Sequence, residues 1–360
     1  GQRTRKFHPQ GSFIYRLAGR DRIRSASYYT PEVLTQCVVK YSLKELLKDI
    51  LDAPPEEEAA HRILELTVCE PAMGSGAFLN EAINQLADKY LERRQLELGK
   101  RIPMQDRYEE REVRGLDGVM RHERQLVERG IVSETRRVRA YIATRNVYGV
   151  DLNPTAAELA KVSLWLNVLG PDTPVPWFDL HLAVGNSLFG CRRQVFHEAD
   201  VLRKHKKDSP NFLGLVPSAI SLSEELPDDG IFHWLLPDEG MCAVRKDKVA
   251  KELAPDDVER MKAWHKEFVK KAFTKDEVSL LKRLTQAADR LWKRHVEARK
   301  TARARSLPKL AVWGGSSEQG EAQKLADLER VRDGLLEPTS PFRRLRLAMD
   351  AWCALWVWPV

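Results

Sequence analysis

Val68–Leu79, VCEPAMGSGAFL, is the stretch that decides the fold. The apolar run Ile63–Cys69 reads as a buried strand, Glu70–Gly76 as a loop and Ala77–Tyr90 as a helix. Gly74 and Gly76 have no side chain to obstruct a ligand lying across the end of that strand, so the backbone can approach it closely. A dinucleotide fingerprint would read GxGxxG and present a helix N-terminus to a pyrophosphate. Here the order is acid-Pro-Ala-x-Gly-x-Gly, with Glu70 at the strand end. A carboxylate repels a phosphate, but it attracts a sulfonium and an α-amino group. The loop is therefore read as built for a cation, against the plainer alternative of an ordinary glycine turn.

Downstream, Asn146–Val150 reads as a second strand ending at Asp151. Asn153 can cap a helix that Pro154 opens and that runs to about Leu169. Asp179–Val184 reads as a third strand entering Gly185-Asn186-Ser187-Leu188. Alternation of strands and helices predicts an α/β fold with a parallel sheet, doubly wound by default. Asp151 at the end of strand two can accept both ribose hydroxyls of a nucleoside. Asn186 offers an amide that can pair with an adenine edge, or serve simply as a turn residue. Upstream, Thr30 can cap a helix whose first turn holds Pro31, with apolar residues at Val33, Leu34, Cys37, Val38, Tyr41 and Leu46. Asp52–Glu58, DAPPEEE, reads as an exposed linker, and about 92–139, dense in charge, as an inserted helical excursion.

The composition is that of a globular protein: 360 residues, 43% hydrophobic and 31% charged. No apolar run is long enough to span a bilayer, so no membrane partner is expected. Five scattered cysteines without a CxxC pair fit a reduced, cytoplasmic protein better than disulfides or a metal site. The net charge of +7 raises the odds of a polyanionic partner, although basic residues also simply solvate helix faces. Gly1–Arg24 concentrates that charge, with seven Arg and Lys against Asp21. After Arg192 the pattern changes to an aromatic loop, GIFHWLLPDEG at Gly230–Gly240, and then two long helices from Pro255 to about Ala304. The capping box Thr274-x-x-Glu277 opens the second of these. The chain begins at Gly1 and ends on the apolar MDAWCALWVWPV, so both ends read as cut from something longer.

Together these strings resemble the N6-adenine DNA methyltransferases of restriction-modification and phage-defence systems, of Type IIG, BREX or DISARM kind. Tyr28–Pro31 resembles their YFTP-type motif, Glu70–Leu79 their EPAxGSGxFL motif, GVDLNP at Gly149–Pro154 their GxDIxP motif and GNSL at Gly185–Leu188 their G[DN]SL motif. The resemblance covers about residues 20–192, with a weaker echo in FHWLLP at Phe232–Pro237. It implies a Rossmann-like class I methyltransferase fold with large helical insertions, S-adenosyl-L-methionine as cofactor, DNA as partner alongside other subunits of a defence complex, and a reaction without metal. Tyr29 and Thr30 would flank the methionine part, and Glu70 would attract its amino group. Ala72, Gly74, Ser75 and Gly76 would line the cofactor with backbone. Asp151 would hold the ribose, Leu152 would pack on the adenine and Asn186 would read its edge. The implied organisation is an arm with a helix at 1–52, a cofactor-binding core at 60–192, a helical insertion at 193–340 and an apolar segment, 341–360, returning to the core.

The family's catalytic [ND]PP[YFW] string, which holds the target amine and stacks on the extruded base, is absent. The one Pro-Pro is Pro54-Pro55, in the linker. The resemblance thus implies the cofactor-binding portion of an adenine methyltransferase, with no catalytic residue assigned in this chain. The alternatives are a non-catalytic scaffold or cofactor sensor in a defence complex, and a methylase of protein glutamine or RNA.

Overall fold

A computed structural model describes residues 30–114, 120–170, 173–204, 211–315 and 324–356. The basic arm, Tyr29 and the last four residues lie outside them. The chain divides into two units, Gly1–Gly185 with Ala311–Ser317, and Asn186–Leu310 with Glu318–Val360. The first unit is mixed α/β around a small parallel sheet.

In the first unit, α1 (Glu32–Leu51) buries Thr35, Val39, Leu43, Leu47 and Ile50. The apolar residues that mark this helix in the sequence lie on the other side, and Val33, Leu34, Val38, Tyr41 and Leu46 are exposed. Pro31 takes the N-cap position with no side-chain cap, so the expected Thr30 cap does not form. The linker expected to be exposed at Asp52–Glu58 has Asp52, Pro54 and Glu56–Glu58 exposed, and it is also pinned: the buried Arg93 guanidinium donates to the carbonyls of Leu51, Ala53 and Pro54.

The strand expected over Ile63–Cys69 is shorter. Ala60–Glu65 is a helix, α2, burying Ala60 and Ile63 three residues apart, and β1 keeps only Val68–Glu70. Then follow α3 (Ala77–Leu98), β2 (Arg107–Arg114), β3 (Met120–Glu128), α4 (Ile131–Arg145), β4 (Val147–Asp151), α5 (Pro154–Val168) and β5 (Leu182–Val184). The expected helical excursion at 92–139 is therefore corrected. Gly99, left-handed at φ 59°, ends α3, and an antiparallel β2–β3 ribbon stands between α3 and α4. Polar residues on both faces of that ribbon leave no period-two signal to read.

The sheet order is β1-β4-β5, all parallel, with Glu70 level with Gly149 and Asp151 level with Val184. The carboxyl ends of the strands thus come out together, carrying Glu70 and Asp151. Asn146 joins the segments behind them, its amide donating to the carbonyls of Leu64 and Leu66 at 2.6 Å each. Gly149 is where the sheet meets the loop most tightly. A methyl there would run into the Met73 sulfur and lie 3.2 Å from methyls of Leu182 and Leu79. Gly149→Ala should therefore cost about 1–3 kcal/mol by overpacking. Urea unfolding should show a lower midpoint at unchanged m-value, and an unchanged midpoint would mean that Met73 swings aside freely.

The second unit holds more than the helices expected over 193–340. It holds an antiparallel sheet β7-β6-β8, from β6 (Gln194–His197), β7 (Ser218–Ala219) and β8 (Gly230–Phe232). The expected helices are present as α6 (Pro255–Trp264), running into a π turn at His265–Val269, and α7 (Lys275–Ser306). Thr274 and Glu277 form both halves of the capping box. After α8 (Leu325–Leu336), α9 (Pro341–Ala354) buries Leu345 and Trp352 against Val195, Phe232, Trp234 and Met241. The apolar tail, expected to return to the core at 60–192, meets Phe189 and Cys191 at the end of that span. It completes the core of its own unit, where Trp352 Nε1 donates to the Leu236 carbonyl at 2.8 Å. FHWLLP is part of the same core, Phe232 and Trp234 stacking at 5.3 Å. The part of 193–340 that does return to the first unit is Ala311–Gly315. The Trp313 carbonyl accepts from Tyr90 Oη, Gly314 from Arg94 and Ala311 from Arg137.

Candidate functional site

The loop between β1 and α3 is shaped by two left-handed glycines, Gly74 at φ 54° and Gly76 at φ 79°. Side chains rarely adopt such angles. At Gly74 there is open space where a Cβ would stand, whereas at Gly76 it would sit 3.3 Å from the Ala160 methyl. Gly76 is thus needed for both its angle and its closeness to α5. Met73, 2% exposed, anchors the loop from below, its N–H donating to the Val150 carbonyl at 3.0 Å. The sequence reading gave Met73 no role. Its place between Ala72 and Gly74 marks it only once Gly149 is known to lie beneath it.

Asp151 is built into the loop. Its Oδ2 accepts from the Gly74 N–H and its Oδ1 from the Asn153 N–H, each at 2.8 Å. A phosphate-binding loop would turn such N–H groups towards its ligand. Here the Gly74 N–H is already directed at a carboxylate, so the loop does not present it to an anion. Asn153 caps α5, its Oδ1 accepting from the Thr155 N–H at 3.0 Å, which leaves Asp151 free of that duty as expected.

Glu70 is half-buried, and its Oε2 is enclosed with no hydrogen-bond partner. Burial pushes its carboxyl up to about 7; the Leu79 backbone N–H opposes the rise and the neighbouring Asp151 charge adds to it. An enclosed carboxylate oxygen without a donor is costly. What relieves it is a cation with hydrogens to give. Ser75 is half-buried in the same loop, Ala72 is exposed, and Leu152 is 68% exposed beside Asp151.

The structure therefore brings together Glu70, Ala72, Gly74, Ser75, Gly76, Asp151 and Leu152. Thr30 stands half-buried before α1, with no hydrogen bond to the loop among the described residues, and Tyr29 lies outside them. Asn186 belongs to the second unit. Its Oδ1 accepts from the N–H groups of Leu188 and Phe189, at 2.9 and 3.1 Å, so the turn takes the acceptor that reading a purine amine would need. Among the described residues no helix is long and apolar enough to cross a membrane. No family model matches the chain, and neither a curated protein nor a solved structure does.

Proposed function

We propose that the first unit is the cofactor half of a Rossmann-like class I methyltransferase, binding S-adenosylmethionine across the ends of β1 and β4. On this reading the chain is the cofactor-binding part of a DNA adenine-N6 methyltransferase of a restriction-modification or phage-defence system. One observation carries the cofactor reading: the enclosed, donorless Glu70 oxygen stands at the strand end where two left-handed glycines open the backbone. The choice of adenine in DNA rests on the motif strings alone.

Glu70 would take the α-amino group of the methionine part, and the backbone of Ala72–Gly76 would lie along it. Each Asp151 oxygen keeps a lone pair beyond its backbone bond for a ribose hydroxyl. Leu152 would cover one adenine face. The cofactor supplies an activated methyl group, and this chain's residues fix where that group points.

Calorimetric titration with S-adenosylmethionine tests the reading, and saturable binding of one equivalent is the expected result. Asp151→Ala should weaken it about tenfold or more, since it removes a charged partner worth roughly 1.5–3 kcal/mol and unties Gly74. A wild-type chain that takes up no cofactor would sink the proposal.

The alternative reading is a cofactor-sensing scaffold without catalysis. Transfer of a labelled methyl group from the cofactor to DNA separates the two. Transfer to tRNA would move the assignment to RNA methylation.

A further inference from the structure

Two of the five cysteines, far apart in sequence, meet in the second unit. Cys191 stands just ahead of β6, and Cys353 lies in the last turn of α9. The Cys191 thiol donates to the Met349 carbonyl at 3.7 Å, one helical turn before Cys353. It also hydrogen-bonds to the Cys353 sulfur. Both thiols are free and half-buried, and both pack on the core of Val195, Phe232, Trp234 and Trp352. Of the other three, Cys37 and Cys69 are exposed and Cys242 is buried.

The pair lines one cleft of about 320 Å³, walled by Phe189, Trp292, Phe342 and Met349. A small reagent in that cleft reaches sulfur directly. The two thiols differ in acidity. Burial pushes Cys191 well above the ordinary thiol range, and the charge of Cys353 and the bond to it add to the rise. Burial pushes Cys353 up as well, but the bond from Cys191 opposes it. Cys353 therefore ionises first, with the Cys191 S–H steadying its thiolate. Arg346 on the same lining is engaged with Asp350 at 3.3 Å, so its charge is shared with a carboxylate before it can favour either thiolate.

We infer that Cys191 and Cys353 form an oxidisable dithiol, the target of a small-molecule disulfide that enters this cleft. The thiolate is the attacking form in such an exchange. Cys353 attacks one sulfur of the reagent, which forms a mixed disulfide and expels one small thiolate. Cys191 then attacks the Cys353 sulfur and expels the second. Each departing thiolate takes up the proton of the cysteine that displaced it. Two protein thiols and one small disulfide thus become one protein disulfide and two small thiols. The second step is intramolecular between sulfurs already in contact, so it outruns accumulation of the mixed disulfide. The bond ties the entry of β6 to the end of α9. It is independent of the cofactor reading, since neither cysteine belongs to that site.

The test incubates the whole reduced chain with oxidised glutathione at pH 8, caps the remaining thiols with N-ethylmaleimide and maps the peptides by mass spectrometry. The expected product is a Cys191–Cys353 peptide pair, lighter by two hydrogens and separated again by dithiothreitol. Cys37 and Cys69 should carry glutathione instead, and Cys242 should stay free. In Cys191→Ser, Cys353 should keep its glutathione, because nothing displaces it. In Cys353→Ser, glutathione should reach Cys191 about tenfold more slowly or less, as its thiolate is the scarcer. The oxidised wild type should melt about 5 °C or more above the reduced chain, since the bond closes a long loop, and neither Ser variant should show that rise. The wild-type peptide map needs no variant to fold. Glutathione on both Cys191 and Cys353 without a crosslink overturns the inference. So does a pair still fully reduced when Cys37 and Cys69 are fully modified.

Discussion

Glu70→Gln should bind S-adenosylmethionine about 10- to 100-fold more weakly than wild type at pH 7.5, the roughly 1.5–3 kcal/mol of a charged hydrogen bond. Gln keeps the shape of the side chain and removes its charge, so the loss measures the electrostatic part. The wild-type carboxyl is pushed up to about 7, first by burial and then by the Asp151 charge. Below that pH it is protonated, and a cation must displace the proton. Wild-type affinity should thus fall by up to about tenfold per pH unit below 7. It should also decline above pH 8 as the cofactor's α-amino group, near 7.7–8.0, loses its proton. The Gln variant should show only the second decline. S-adenosylhomocysteine separates the two cations: it keeps the amine and lacks the sulfonium charge, so equal losses for both ligands place Glu70 at the amine.

The same carboxyl makes an opposite claim on stability. A folded value raised above the ordinary 4.5 means that the folded state holds a proton which the unfolded state releases first. Its stabilising effect is full below pH 4.5 and is lost as pH rises through 7. Without cofactor, Glu70→Gln should accordingly melt higher than wild type at pH 8, and no higher at pH 4. A variant that both binds more weakly and melts no higher at pH 8 would show that Glu70 holds the loop together and is not an enclosed charge awaiting a partner.

How far such a site is legible in sequence depends on how local its physics is. Glu70, Gly74 and Gly76 lie within one turn of chain, and their demands on backbone and charge are visible in the string itself. Asp151 was recognisable because a helix signal, Asn153-Pro154, follows it directly. Its bond to the Gly74 N–H crosses 77 residues, and no spacing rule foretells it. Asn186 shows the opposite case, where a motif match suggested a ligand contact and a two-residue turn took the oxygen. In α1 the periodicity was real but identified the solvent side, since a helix apolar on both faces does not say which one is covered. The ribbon of Arg107–Arg114 and Met120–Glu128 was missed because neither face is buried among its described residues, and the separation of the two units depends on long-range packing that no local pattern encodes.

That same long-range packing sets the largest stability effect expected here, at Arg93. Glu97, its side chain 0% exposed, accepts from Arg93 Nε at 2.8 Å, from Arg94 Nη1 at 3.1 Å and from the Ala60 N–H at 2.8 Å. Arg93→Met should destabilise the first unit by about 3–5 kcal/mol, the usual cost of leaving one half of a buried pair behind. It also orphans the carbonyls of Leu51, at the end of α1, and of Ala53 and Pro54 in the DAPP turn, so α1 and α2 lose the tie that sets their spacing. Burial pushes the Glu97 carboxyl up, but its bonds to Arg93, Ala60 and Arg94 outweigh that and hold it below the ordinary 4.5. A lowered value stabilises the fold above pH 4.5, and that contribution is lost as pH falls through the folded value. Arg93→Met should thus both lower the urea midpoint at pH 7 and flatten the acid limb of the stability profile. Adding Glu97→Gln should restore part of the loss, because a buried carboxylate is then no longer left to Arg94 alone. If the double variant is no more stable than Arg93→Met, the carbonyl bonds rather than the ion pair carry the effect. The DAPP turn would then be the part of the unit that Arg93 exists to hold.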